Sequence, residues 1–271
     1  MAIDTPAKIA IIGAGPIGLE AAIYARFLGY EVELFEQGRI CENLLRAGAA
    51  RLEGPFGQHC STLVLAALSA QDPNWRPPAV DAILTSAEWA EQYLAPLAKS
   101  DLVTDSLHEG VAVTRLRRAD AAETSAPSDE FDEMTSPPFL LTTRDAAGQE
   151  AFIQADAVID CSGIAAANDP ATDPAHDWLR ELQIEFCPKT GAPRGMAEFL
   201  ARGMVEDGSP PWRPLVTSEP DFYILGAKSY GRAAPFSFAL GLAQIRDLFT
   251  LIHDRPDLNI YQRMAGGFRF A

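Results

Sequence analysis

The chain opens on a polar stretch that ends at Lys8 and turns abruptly apolar over 9–12, the strand being residues 8–12 (KIAII). A short, continuous, β-branched run of this kind reads as a strand buried on both faces. A glycine turn follows, then a helical segment over 16–28 that Gly29 ends, as glycine often does at a helix C-terminus. Residues 31–35 (EVELF) form a second strand. Strand, helix and strand in such close order make a βαβ unit, which implies parallel pairing and a right-handed crossover. Further on, residues 51–60 read as a loop, 62–70 as a short helix, and 71–78 as a Pro/Asn/Trp loop. Residues 86–99 read as a helix with Ser86 as N-cap and Trp89, Tyr93 and Leu97 at helical spacing.

The period then changes to two. Residues 111–117, 139–144 and 151–154 alternate as antiparallel strands do. Between the first two lies 119–138, whose Pro, Ser and acidic content is too polar to build a core, so a mobile hairpin insertion is expected there. Residues 157–160 (AVID) and 222–225 (FYIL) read as buried strands, 168–174 as a loop, and 235–253 as a helix. The segment up to residue 219 is poorly patterned.

Hydrophobic residues make up 48% of the 271, which supports a full core. The formal net charge of −15 repels phosphate backbones and anionic lipid, so nucleic-acid and membrane partners are set aside. No apolar run is long enough to predict a spanning helix, and the polar start carries no secretion signal. Four solitary cysteines, Cys41, Cys60, Cys161 and Cys187, encode neither a CxxC pair nor a metal site, and point to free thiols in a reducing cytoplasm.

Chemistry enters at 13–18, a GxGxxG between the first strand and the first helix. Gly13 makes the tight turn, Gly15 lets backbone approach a pyrophosphate, and Gly18 allows close helix–strand packing. Pro16 and Ile17 open a helix whose free N–H groups and partial positive charge suit phosphates. Glu36 closes the second strand where a carboxylate accepts from a ribose diol, with Gln37 beside it. That carboxylate argues against a 2′-phosphate, which the nearby Arg39 would moderate. These features fit NAD or FAD.

Three segments, 9–38, 155–163 (ADAVIDCSG) and 221–232 (DFYILGAKSYGR), together resemble the FAD-dependent pyridine-nucleotide reductase superfamily, which includes thioredoxin-reductase-like proteins and flavin monooxygenases. The resemblance implies a Rossmann-like FAD-binding fold of the α/β class in three layers, a parallel sheet plus an antiparallel β-meander. It implies FAD as cofactor, with NAD(P)H as a transient reductant. It adds Cys161, Ser162, Gly163, Gly226, Ala227, Phe236 and Ser237 to the cofactor-binding residues, the last two at a helix start, following Pro235, that faces the flavin. Members of the superfamily carry an aspartate after the strand glycine for the ribitol chain. Here Ala227 follows Gly226, and Lys228 or Ser229 is left as a substitute.

Two-domain members insert a second nucleotide-binding domain between the second and third segments, which needs on the order of 100 residues. The interval 164–220 is too short for one and has no GxGxxG, so a single domain over 1–271 is expected, without that unit. The reductase disulfide is absent as well. His59, in a loop expected near the flavin, is a candidate acid or base, and Arg232 a candidate anion fork. Cys161 is expected to be packed rather than catalytic.

Three readings remain open. The first is a cytoplasmic FAD-dependent oxidoreductase acting on a small molecule or a redox partner protein, with a homo-oligomeric contact on the face a missing domain would leave. The second is a non-catalytic dinucleotide-binding module that senses redox state or scaffolds a partner. The third is a simple NAD-dependent dehydrogenase, for which no catalytic Tyr/Lys or His/Asp pair is evident.

Overall fold

The computed structural model describes residues 3–120, 136–163, 178–204 and 208–265. Strands β1 (Lys8–Ile12), β2 (Glu31–Glu36), β3 (Leu107–Glu109), β7 (Ala157–Asp160) and β8 (Phe222–Ile224) form one parallel sheet in the order β3-β2-β1-β7-β8. Strands β4 (Ala112–Arg118), β5 (Phe139–Arg144) and β6 (Glu150–Ala155) form an antiparallel sheet in sequential order, the expected meander.

Period-two alternation sends each parallel strand into two separate cores. Ile9, Ile11, Leu34, Ala157, Ile159 and Tyr223 face the helices. Their neighbours Ala10, Ile12, Phe35, Val158, Phe222 and Ile224 face Leu116, Phe139 and Leu141 of the meander. Helices, parallel sheet and meander are therefore three layers, as expected. The parallel strands read as unbroken apolar runs because neither face meets water.

The helical layer holds α1 (Pro16–Phe27), α3 (Thr62–Gln71) and α8 (Phe238–Ile252). Helix α2 (Glu42–Ala47) follows β2. Helices α4 (Ser86–Trp89) and α5 (Ala95–Ala98) are joined through a π turn over Ala90–Leu94. Later come α6 (Arg194–Ala201), α7 (Ala227–Tyr230) and α9 (Ile260–Ala265).

The structure corrects several boundaries. The N-cap of α4 is Thr85, not Ser86. Thr85 Oγ1 accepts from the Glu88 N–H while the Glu88 carboxylate accepts from the Thr85 N–H, a reciprocal capping box that leaves Ser86 inside the helix. Helix α8 begins at Phe238, so Pro235 and Phe236 precede it. Ser237 is its N-cap, its Oγ accepting from the Leu240 N–H at 3.3 Å. A serine hydroxyl can satisfy an orphan helix donor, which a proline cannot do. Helices α2 and α6 and strand β3 were not expected from the pattern. Each is eight residues or shorter, so periodicity has little to register.

Most of the expected hairpin insertion, residues 121–135, and the expected loop over 168–174 lie outside the described residues. At the root of the insertion, Arg118 pairs with Phe139, and the Ala119 N–H donates to the Pro138 carbonyl at 2.8 Å. Residues 178–204 and 208–220 carry α6 and a 3-10 turn over Arg213–Leu215. Among the described residues no helix is long and apolar enough to cross a membrane.

Candidate functional site: a cleft at the carboxyl edge of the parallel sheet

From β1 the chain goes to β2 on one side, while β7 pairs on the other. Strand order thus reverses at β1, and in open α/β sheets a ligand crevice forms beyond the carboxyl ends at such a point. A cleft of about 560 Å³ lies there, inside the range of about 300–1,000 Å³ usual for small-molecule sites. Four strand ends converge on it: Gly13 and Gly15 after β1, Glu36 and Gln37 at β2, Cys161 to Gly163 after β7, and Gly226 with Ala227 after β8. Pro16, Ile17, His59, Phe236 and Ser237 line it too.

The three glycines of the turn do different work. Gly13 has φ +99°, and a Cβ there would lie 2.7 Å from the Cys161 carbonyl oxygen. A Cβ on Gly18 would overlap the Gly13 carbonyl, so this glycine lets helix and turn close on each other and does not line the cleft. Gly15 is the opposite case. A Cβ there meets no atom within 4 Å, because the space it would enter is the cleft. Gly15 is also the N-cap of α1 and has no side chain to bond the first turn. Pro16 has no N–H, so the Ile17 and Gly18 amides are the uncapped donors at that end.

Glu36 ties the second strand to this turn. One carboxylate oxygen accepts from the Ala14 N–H at 2.9 Å and the other from the Gly38 N–H at 2.9 Å. A carboxylate offers about four lone-pair sites, so Glu36 braces the turn and keeps acceptor capacity toward the cleft it lines.

Sequence reasoning missed part of the wall. Cys41 to Leu44, Arg46, Arg51 to Glu53 and Trp89 also line the cleft, and so does Phe238, at the helix start expected to face the flavin. Arg46 pairs with Glu42 at 2.5 Å, and the Trp89 indole donates to the His59 carbonyl at 2.8 Å. Helix α2 and the loop after it bring in Arg46 and Arg51, and no motif spacing marks them. Arg39, the arginine named from sequence, is exposed and does not line the cleft.

The two candidate catalytic residues part company. His59 lines the cleft, with Nε2 at 2.9 Å from the Glu53 carbonyl. A carbonyl only accepts, so Nε2 donates and Nδ1 is left as an acceptor. Arg232 is exposed outside the cleft, its guanidinium 3.5 Å from the Lys189 carbonyl.

Neither expected substitute for the ribitol aspartate faces the cleft. Lys228 is buried, with Nζ 2.6 Å from Asp160 Oδ2 at the end of β7 and 3.0 Å from Ser162 Oγ. Asp160 Oδ1 accepts in turn from the Ser162 N–H and hydroxyl. The Ser229 hydroxyl donates to the Gly226 carbonyl and accepts from Gln244 Nε2. Lys228 and Asp160 therefore lock the β7 and β8 ends together beneath the cleft, and Ala227 presents only a methyl group to it.

All four cysteines are free thiols. Burial pushes Cys41 up to about 12 and Cys161 well above the ordinary thiol value, so neither cleft thiol is a nucleophile at neutral pH. Among the described residues no group of His, Cys, Asp and Glu is arranged to hold a metal ion.

Residues 2–54 match the family described as pyridine nucleotide-disulphide oxidoreductase. That stretch holds the glycine turn and Glu36, the first of the three segments that carry the resemblance. Among solved structures, OTEMO in complex with FAD and NADP is 17% identical over 61% of this chain and 27% of that chain, with a TM-score of 0.42. Oxidized steroid monooxygenase bound to NADP is 22% identical over 62% of this chain and 28% of that one, with a TM-score of 0.40. A flavoprotein/dehydrogenase from Cytophaga hutchinsonii is 17% identical over 58% and 39%, with a TM-score of 0.37. The match thus spans well under half the length of each of these proteins. No curated protein matches the chain.

Proposed function

We propose that the cleft holds FAD and that the protein is an FAD-dependent oxidoreductase, passing hydride or electrons between a reductant and a small molecule or a partner protein. One observation carries this reading. The three sequence segments of the resemblance, far apart in the chain, line one continuous cleft: Gly13, Gly15, Pro16 and Ile17 with Glu36, Cys161 to Gly163, and Gly226 with Ala227, joined by Phe236 to Phe238.

The residues fit the cofactor. The empty space over Gly15 is where a diphosphate would lie, against the uncapped Ile17 and Gly18 amides. Glu36 would accept from the adenosine ribose, and Arg46 and Arg51 would supply positive charge at the same wall. FAD, when bound, supplies the electron- and hydride-transfer chemistry, and the chain supplies orientation and electrostatics. The Phe238 and Ala239 amides open α8, whose positive end favours negative charge beyond Phe236 and Ser237. His59, which lines the cleft with Nε2 engaged by the Glu53 carbonyl, would be the acid or base candidate there.

The interval 164–220 takes the place of a second nucleotide domain in this reading, so NAD(P)H would approach as a transient reductant without a domain of its own. Ala227, in place of the ribitol carboxylate, favours a second reading: a dinucleotide-binding module without turnover.

The test is the visible spectrum of the purified protein, identification of any chromophore released on heating, and anaerobic titration with NADH and NADPH. A bound FAD that bleaches supports the enzyme. A bound FAD that no reductant bleaches supports the second reading. A colourless protein that takes up no added FAD overturns both.

A further inference from the structure

Helix α1 carries a carboxyl group that the cleft does not use. Glu20 is completely buried on the helical side of the sheet, away from the residues that line the cleft. Neither carboxyl oxygen has a hydrogen-bond partner of regular geometry, although the Ser61 and Tyr261 hydroxyls approach it. The Tyr261 hydroxyl is itself buried, with no hydrogen bond of regular geometry among the described residues. An isolated carboxylate in such a place is costly, and the usual outcome is that the group stays neutral.

Among the described residues, the other groups near Glu20 bring no compensating cation into contact with it. Tyr24 lies one turn further along α1. Cys60 and Ser61 come from the segment leading into α3. Tyr93 comes from the π turn, and its hydroxyl accepts from the Ser61 N–H at 2.9 Å. From α8, Arg246 is paired with Asp247. From α9 come Tyr261 and Arg263, the latter 3.8 Å from Asp257.

Helix α9 covers this spot. The Thr62 hydroxyl donates to the Tyr261 carbonyl at 2.6 Å, and the Ile260 N–H donates to the Tyr24 hydroxyl at 3.2 Å. The Tyr24 and Tyr261 rings meet edge to face with centroids 5.1 Å apart. Tyr261 and Asn259 also wall a neighbouring cavity of about 390 Å³ that includes Cys60 and Ser61.

We propose that protonated Glu20 is a pH-sensitive latch for α9: the neutral acid lets Tyr261 pack over it, and ionisation drives α9 off the body, opening the Cys60 cavity. This goes beyond the cofactor reading and does not rest on it. Burial raises Glu20 to about 8 from 4.5. With α9 displaced, the carboxyl is hydrated and returns toward 4.5. Between those values each opening releases one proton, so opening becomes about tenfold easier per pH unit and levels off above about 8. The closed state is favoured on the acidic side of the window and loses that advantage as pH rises through it.

Hydrogen exchange of the α9 amides, corrected for intrinsic exchange, tests this on the full chain between pH 6 and 8. The expected result is protection that falls about tenfold per unit in the parent protein and is flat in Glu20→Gln and Glu20→Met. Protection that does not change with pH, or a slope that persists in both variants, overturns the proposal. If both variants fail to fold, the carboxyl carbon of Glu20 is followed by NMR in the parent. A midpoint near 8 supports the latch, and one near 4.5 overturns it.

Discussion

Replacing Lys228 with methionine removes the cation from a pair whose side chains are 3% and 0% exposed and whose charged atoms are 2.6 Å apart. Methionine fills similar volume, so the packing loss is small. What remains is Asp160, buried at the end of β7, with Ser162 its one donor among the described residues. Leaving one member of a buried pair costs about 3–5 kcal/mol. For a chain of this size that lowers Tm by about 6–20 °C. Asp160→Asn in the same protein removes the stranded charge and keeps an acceptor for Ser162. The double variant should therefore recover to within about 1–2 kcal/mol of the parent, since neutral replacement of a buried pair is often tolerated. Urea denaturation of the parent, both single variants and the double variant closes the cycle. Asp160→Asn alone strands Lys228 at a similar cost, so the expected coupling is at least about 4 kcal/mol. Coupling below about 0.5 kcal/mol would refute the reasoning, because two independent sites add. The same pair anchors Ser162 and the turn into α7, so Lys228→Met should also weaken cofactor retention, read as flavin released on dilution.

Two further outcomes separate site from scaffold. Gly15→Val should fold with stability within about 1 kcal/mol of the parent, since its φ of −78° suits any residue and its Cβ meets only the cleft. It should retain no FAD, whereas Gly18→Ala overlaps backbone and should lose about 1–3 kcal/mol in thermal unfolding; the opposite pattern would reverse the assignment. Brief alkylation at neutral pH followed by peptide mapping should modify Cys187 first. Hydrogen bonds from Thr190 hold its thiol below the ordinary value, while burial raises Cys41 and Cys60 to about 12.

The β1–α1–β2 unit was legible in the chain because its determinants are local. Residues 9–12 are apolar at every position because both faces of β1 are covered there, and the structure returns the expected strand, Lys8–Ile12. The glycine spacing states which backbone positions need a left-handed φ or a missing Cβ. Period two in 111–117 and 139–144 revealed the meander, although not that its inner face would form a separate core with Phe222 and Ile224. Tertiary structure alone decided the partners of charged groups. Lys228 sits beside a cofactor-like glycine and read as a cleft residue, yet it turns to a carboxylate on a strand far back in the chain. Arg46 and Arg51 enter the cleft through a short helix and a loop, while Arg39 stays in solvent. Glu20 occupies a helix position that a sequence allows to be exposed, and α9 arriving from the far end of the chain buries it. Short-range backbone geometry is written in neighbouring residues. Burial and ion pairing depend on which distant segments pack together, and no local spacing encodes that.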